Sequence, residues 1–534
     1  MRDRTFVDLL PLLACFAVIS LAVALAGMPL NHDCALLLQC GRLVTEGSIP
    51  YVDHVESNLH MAQYIHAVPV LLSNALGIHT WILFPAGVLL LTIASALSVY
   101  GLLGRTGEVL PPGAAALTAC MIPLLSMWVY LQGEFGQREH LFLLVWVPFL
   151  LLRLSGRRRG PSWTGFAVLA GFLTGIMMLC KPTFLALVLL TEGWILFRTG
   201  NPRSLIRTEM VAMYCALVLF GLHLVLLPGG PRSPFFTLYL PMLASGYGAY
   251  NVQAADLIRH RRAFWACLTA AMLLAAALRG RTPGRTWLLL QTLLVASVLA
   301  LLSYILQHKG WQYQLIPAFG LSLILLGSST GVLLDRFVVR SFPRRAASWL
   351  AAVLPAGLCA VMAFASAGAA EGRYDTMDDF LRIIEEHSEP GDRIAVLSTC
   401  VYPKYPTLEY AGRMTGTRFL SVFPVAVFYR GEPPTGHERF PYHSTGEQTP
   451  EERRFLEELG SDITTLRPAL VFIDTSPREQ ALPLGFRFSD YLDSTGWMDG
   501  YMAAYRQLCT LHGFAVYEFT GSSQDRALQQ YDRS

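Results

Sequence analysis

The chain has 534 residues, of which 53% are hydrophobic and only 15% charged, with a formal net charge of +3 at pH 7. So large an apolar share excludes a soluble globular protein and points to a polytopic membrane protein. The net charge says little, but the arginines that produce it gather in short clusters between apolar runs.

In chain order, apolar runs predict membrane crossings near 8–30, 82–103, 113–131, 139–153, 163–180, 183–197, 209–228, 263–279, 286–306, 312–333 and 346–366, about eleven in all. The first is longer than the apolar stretch of a signal peptide and reads as an anchor. The arginine clusters are Arg2 with Arg4, Arg105, Arg153 with Arg157 to Arg159, Arg198 with Arg203 and Arg207, Arg279 with Arg281 and Arg285, and Arg336 with Arg340, Arg344 and Arg345. These mark the cytoplasmic side and leave 31–81, 132–138, 229–262 and 307–311 outside. Arg259, Arg261 and Arg262 fall on the outer side, where they are expected to snorkel to lipid headgroups.

After residue 370 the apolar runs shorten to strand length. "GDRIAVLST", "TRFLSVF", "RPALVFID" and "GFAVYEF" read as buried strands between helices such as "TMDDFLRIIEEH" and "PEERRFLEEL". The expected division is a transmembrane domain over 1–370, with its first outer loop at 31–81, and an extracytoplasmic α/β domain over 371–534. No glycine-rich phosphate loop follows any of these strands, so nucleotide binding has no support there and nucleic acid is not an expected partner.

Of the ten cysteines, Cys15, Cys120, Cys180, Cys215, Cys267 and Cys359 fall within or at the end of apolar spans and read as small hydrophobes. Cys34 with Cys40, and Cys400 with Cys509, are two pairs that an oxidising compartment could join.

The outer segments hold the polar residues. His32 and Asp33 stand at the exit of the first span, followed by Arg42, Glu46, Asp53, His54, Glu56 and His60. The next outer loop brings Glu134, Arg138, Glu139 and His140 to the mouth of the fourth span. Taken alone, each acid is more often a helix cap or interface residue than a catalytic one. His32, His54, His60 and His140 are candidate ligands for a divalent metal, although no metal spacing pattern joins them. Asp53 reads as a loop or helix cap.

Asp33 at a membrane exit, "GSIPYVD", an acid opening the fourth span, the outer "KGWQY" and a terminal outer domain together resemble the GT-C glycosyltransferases, nearest to the protein O-mannosyltransferase and aminoarabinose transferase branch. The likeness covers about residues 5–335 and departs from the family at Asn58-Leu59-His60-Met61, where many relatives carry prolines. It implies an inverting glycosyltransferase in a bacterial inner membrane, with its terminal domain in the periplasm. The donor would be a polyprenyl-phosphate-linked sugar and the acceptor a glycan, lipid or protein hydroxyl at the outer face. Asp33 would be the base and Glu139 the second acid, with His32, Arg138 and His140 lining the substrate site. Only Lys181, Lys309 and Lys404 are lysines. Lys181 and Lys309, with Trp311 and Tyr313, are candidates to bind the donor's phosphate and neck, or else are ordinary interfacial anchors. The alternatives are a transporter, which would place ionisable groups near mid-span, or a non-catalytic scaffold on a transferase fold.

Overall fold

The structure is a computed structural model that describes residues 12–20, 30–104, 109–155, 161–259, 261–337, 355, 357–362, 375–430, 440–477 and 481–521. Among them, seven helices are long and apolar enough to cross a membrane: Thr80–Gly104, Pro112–Leu131, Pro161–Met178, Pro182–Thr199, Thr208–Leu226, Gly284–Gln307 and Gln312–Arg336. These match seven of the expected spans. Those at 139–153 and 263–279 correspond to the shorter helices Arg138–Leu154 and Arg262–Ala277. The spans expected at 8–30 and 346–366 lie largely outside the described residues, as do Arg2, Arg4, Arg105, Arg157 to Arg159, Arg340, Arg344 and Arg345.

The chain forms two compact units, each drawn from separate stretches of sequence. The first comprises Met1–Asn31, Phe84–Leu224 and Val252–Glu371. Its helices are mostly apolar, and proline opens Pro112–Leu131 and Pro182–Thr199, where no backbone donor is lost. Helix Arg138–Leu154 is buried along nearly its whole length and so runs inside the helix bundle. Small residues allow close packing: a Cβ at Gly171 would collide with the Glu209 carbonyl, and one at Gly175 with the backbone at Met213.

One set of charges in this unit is centred on the buried side chain of Arg153. The Arg153 guanidinium donates to Glu192 at 3.0 and 3.1 Å and to Glu209 at 3.2 Å, and Arg207 lies 2.6 Å from Glu209. Arg153 therefore does more than mark a boundary. It ties three helices together, and Glu192 is a charge inside one of the expected spans. Arg261 also departs from expectation: its guanidinium turns inward and donates to the Gly310 carbonyl at 2.6 Å rather than reaching toward headgroups.

The second unit comprises His32–Leu83, Val225–Asn251 and Gly372–Ser534. It holds a five-stranded sheet of β1 (Arg393–Leu397), β2 (Met414–Thr415), β3 (Leu470–Asp474), β4 (Tyr505–Leu511) and β5 (Phe514–Phe519), in the order β2-β1-β3-β5-β4. β1 runs parallel to β2 and β3, while β5 is antiparallel to β3 and β4. His512 and Gly513, both at positive φ, make the tight β4–β5 turn.

Three of the four expected strands are present. "TRFLSVF" is not one: its single pairing is a bridge from Phe419 to Val55, and its end passes into helix Phe423–Phe428. β4, an edge strand with a largely solvent-facing pattern, carried too little apolar signal to stand out. The core between sheet and helices takes Phe455, Leu459 and Ile463 from helix Pro450–Leu466, whose first turn is capped by Thr449, and also Tyr51, Val55, Phe235 and Tyr239 from the unit's other two stretches.

Neither candidate cysteine pair is bonded. Cys34 and Cys40 share helix His32–Thr45 six positions apart, about 9 Å along its axis. Cys400 follows β1 whereas Cys509 lies on β4, three strand spacings or about 14 Å across the sheet.

Candidate active site

In the first unit the turn at 132–137 delivers the acid that opens helix Arg138–Leu154. Gly133 and Gly136, at φ of 74° and 83°, let the chain reverse there. Asn31 braces this turn: its amide donates to the Gly133 carbonyl at 2.8 Å and to Glu134 at 3.0 Å, and its oxygen accepts from Gln137 at 3.0 Å. His140 braces it from below. Its Nδ1 accepts the Gly136 amide at 3.3 Å and its Nε2 meets Ser126 Oγ at 2.9 Å, so this histidine is fully buried with both ring nitrogens engaged.

Glu139, in the first helical turn, carries its negative charge where the helix dipole favours it. Its Oε1 accepts from Lys181 Nζ at 2.7 Å, and its buried Oε2 accepts no hydrogen bond among the described residues. Lys181 is extended and immediately precedes Pro182, the first residue of the next helix. Its ammonium lies 5.5 Å above the Tyr313 ring, and Tyr313 stacks on Trp311 with centroids 5.7 Å apart. Such an aromatic face holds a cation without neutralising it. Gln312 reaches Gln132, fastening the "KGWQY" segment to the same turn. Glu139, Lys181, Trp311 and Tyr313 thus form one cluster. Lys309, 2% exposed, follows helix Gly284–Gln307 in a turn held by Arg261 on Gly310 and by the Val252 amide on His308. Arg138 is buried beside Glu139.

In the second unit, His32 and Asp33 open helix His32–Thr45, with His32 Nε2 3.7 Å from Asp33 Oδ1. Asp33 keeps 19% of its side chain exposed, enough for a solute to reach it. Asp53 accepts the Ile49 amide at 2.8 Å and closes its own loop. His54 lies between Ser48 and Gln63, at 2.7 and 2.8 Å, and burial lowers its pKa. His60 packs against Phe235 and Tyr51. Among the described residues no group of three His, Cys, Asp or Glu side chains could hold a metal.

Sequence reading passed over Asn31, Gln132 and Gln312. Uncharged amides beside glycines at two expected helix mouths are the one signal that marked them.

Neither a protein-family model nor a curated protein sequence matches the chain. Among the solved structures that resemble it are two of ArnT from Cupriavidus metallidurans. The one bound to undecaprenyl phosphate superposes with a TM-score of 0.54 at 13% identity, covering 95% of this chain and 98% of ArnT. The apo structure gives 0.55 at 14% identity, covering 94% and 96%. Likeness over nearly the full length of both chains, at so low an identity, is a statement about fold. This multi-pass membrane protein therefore shares the fold of ArnT, with a small sheet domain toward its C-terminal end.

Proposed function

We propose that the protein is an inverting glycosyltransferase that moves a sugar from a polyprenyl-phosphate carrier to an acceptor hydroxyl at the outer face of a bacterial inner membrane, with residues 371–534 in the periplasm. Support for the donor comes from the fold, shared with an ArnT solved with undecaprenyl phosphate, and above all from the Lys181 cluster. A cation held over an aromatic ring at the end of apolar helices suits a phosphate whose tail lies in lipid.

In this reading Asp33 takes the proton of the acceptor hydroxyl as that oxygen bonds to the anomeric carbon. The bond from that carbon to the phosphate oxygen breaks, and its electron pair leaves with the lipid phosphate. Lys181 and Lys309 stabilise that growing charge. Trp311 and Tyr313 pack on the carrier's neck, Glu139 fixes Lys181 with Arg138 next to it in sequence, and His32 binds substrate as the neighbour of Asp33. A transporter would need ionisable groups near mid-span, whereas the Arg153 set is tied off by its own acids.

The test is a comparison of envelope glycans and lipids from a strain lacking the gene and one restored with it, paired with donor turnover by the purified protein. A sugar missing from the first strain and regained in the second is expected. Identical envelopes and no turnover would return the protein to a scaffold role.

A further inference from the structure

The loop Ser398–Pro403 leaves β1 where the sheet's strand order reverses, since β2 lies on one side of β1 and β3 on the other. The crevice outside the C-terminal ends of parallel strands at such a point is where open α/β sheets take up ligands. Here the two strand ends are tied together. Ser398 Oγ donates to Asp474 Oδ2 at 3.0 Å and accepts the Cys400 amide at 3.0 Å, while the Ser476 amide donates to Asp474 Oδ1 at 2.8 Å.

From this braced loop Tyr402 projects with 42% of its surface exposed. Its ring meets His32 edge-on, with centroids 6.5 Å apart, and His32 is the neighbour of Asp33. Packing of the helices behind the loop enforces that meeting. On helix His32–Thr45, Gln39 and Arg42 donate to Glu409 at 3.0 and 2.8 Å, and Glu409 belongs to helix Lys404–Ala411, which the loop feeds. His32 to Gln39 and Tyr402 to Glu409 span the same number of residues, so the two segments run parallel with their N-terminal ends together.

We infer that the β1 loop is an acceptor subsite, in which the Tyr402 ring packs on the hydroxyl-bearing part of the acceptor, a sugar or similar polyol, and holds it beside Asp33. This rests on the transferase reading for the role of Asp33, but binding at Tyr402 is separable from it. An exposed tyrosine serves such a ligand well, because its face is apolar and its hydroxyl can bond to water or sugar.

The test is saturation-transfer NMR on the purified full chain in lipid nanodiscs, with a panel of methyl glycosides as probes and undecaprenyl phosphate binding measured in parallel. At least one glycoside should take up saturation from the wild type. Tyr402→Ala should cut that signal by about fivefold or more, Tyr402→Phe should retain most of it, and both should bind undecaprenyl phosphate as the wild type does. If the alanine variant does not fold, Tyr402→Leu keeps bulk without the ring and reads the same difference. A wild type that takes up no glycoside, or a Tyr402→Ala variant that takes it up equally, overturns the subsite. Glycoside binding that depends on Tyr402, in a protein that does not bind undecaprenyl phosphate, would leave the subsite standing and remove the donor.

Discussion

Lys181 Nζ and Glu139 Oε1 lie 2.7 Å apart with little solvent around either, their side chains being 11% and 2% exposed. A carboxylate in that position competes with any phosphate for the ammonium. Glu139→Gln is therefore expected to tighten undecaprenyl phosphate binding while slowing sugar transfer. Lys181→Ala is expected to weaken binding about 10- to 100-fold, since a hydrogen bond to a charged group contributes about 1.5–3 kcal/mol. Binding to each variant in nanodiscs measures both. Weaker binding in Glu139→Gln would mean that the acid itself takes part in holding the carrier.

Lys309 is proposed to meet the same phosphate. Lys309→Ala should lower carrier binding by about tenfold or more, whereas Arg382→Ala, on an exposed face of helix Asp375–His387, should leave it unchanged. Equal, small effects would make Lys309 a structural part of the turn that Arg261 holds.

Lys404 has a different part to play. It is buried in the second unit, where its amine donates to the carbonyls of Val396 and Leu420 at 3.1 and 2.9 Å, and burial lowers its pKa to about 7. The unfolded chain holds this proton up to about pH 10.4, so between those values the unfolded state binds more protons and stability rises with pH. Thermal unfolding of the full chain should show melting increasing from pH 7 toward 10, less steeply in Lys404→Met. Parallel pH profiles for the two proteins would mean that Lys404 titrates alike in folded and unfolded chains.

The helices were legible because a membrane span states itself in composition: twenty apolar residues between arginine clusters leave few alternatives. The small sheet was partly legible for the same reason, since β1, β3 and β5 are short apolar runs, while β4 faces water and "TRFLSVF" is buried without pairing along its length. At the candidate site, sequence position brought out the charged residues at helix mouths but not their partners. Lys181 and Glu139 lie 42 positions apart, and Tyr402 meets His32 from the far end of the chain. Such pairings follow from packing, which local pattern does not encode. The discontinuous second unit is the larger instance, because the outer segment at 32–83 contributes Tyr51 and Val55 to the sheet domain's own core.

Asp33 and Asp53 provide the sharpest comparison, as two aspartates on one outer segment with different surroundings. Asp53 is committed locally: its carboxylate accepts the Ile49 amide, and an asparagine oxygen accepts that bond equally well. Asp33 opens a helix whose buried face is held by Gln39 and Arg42 on Glu409, so its backbone position does not depend on its own charge. Asp33→Asn should therefore fold as the wild type does and lose sugar transfer by about 10²-fold or more, the scale of a lost general base. Asp53→Asn should change transfer little. Transfer rates for each purified variant, normalised to folded protein, decide the matter. An Asp33→Asn enzyme with near wild-type activity would reduce Asp33 to a helix-opening residue at the membrane boundary and move the search for the base elsewhere on the outer face.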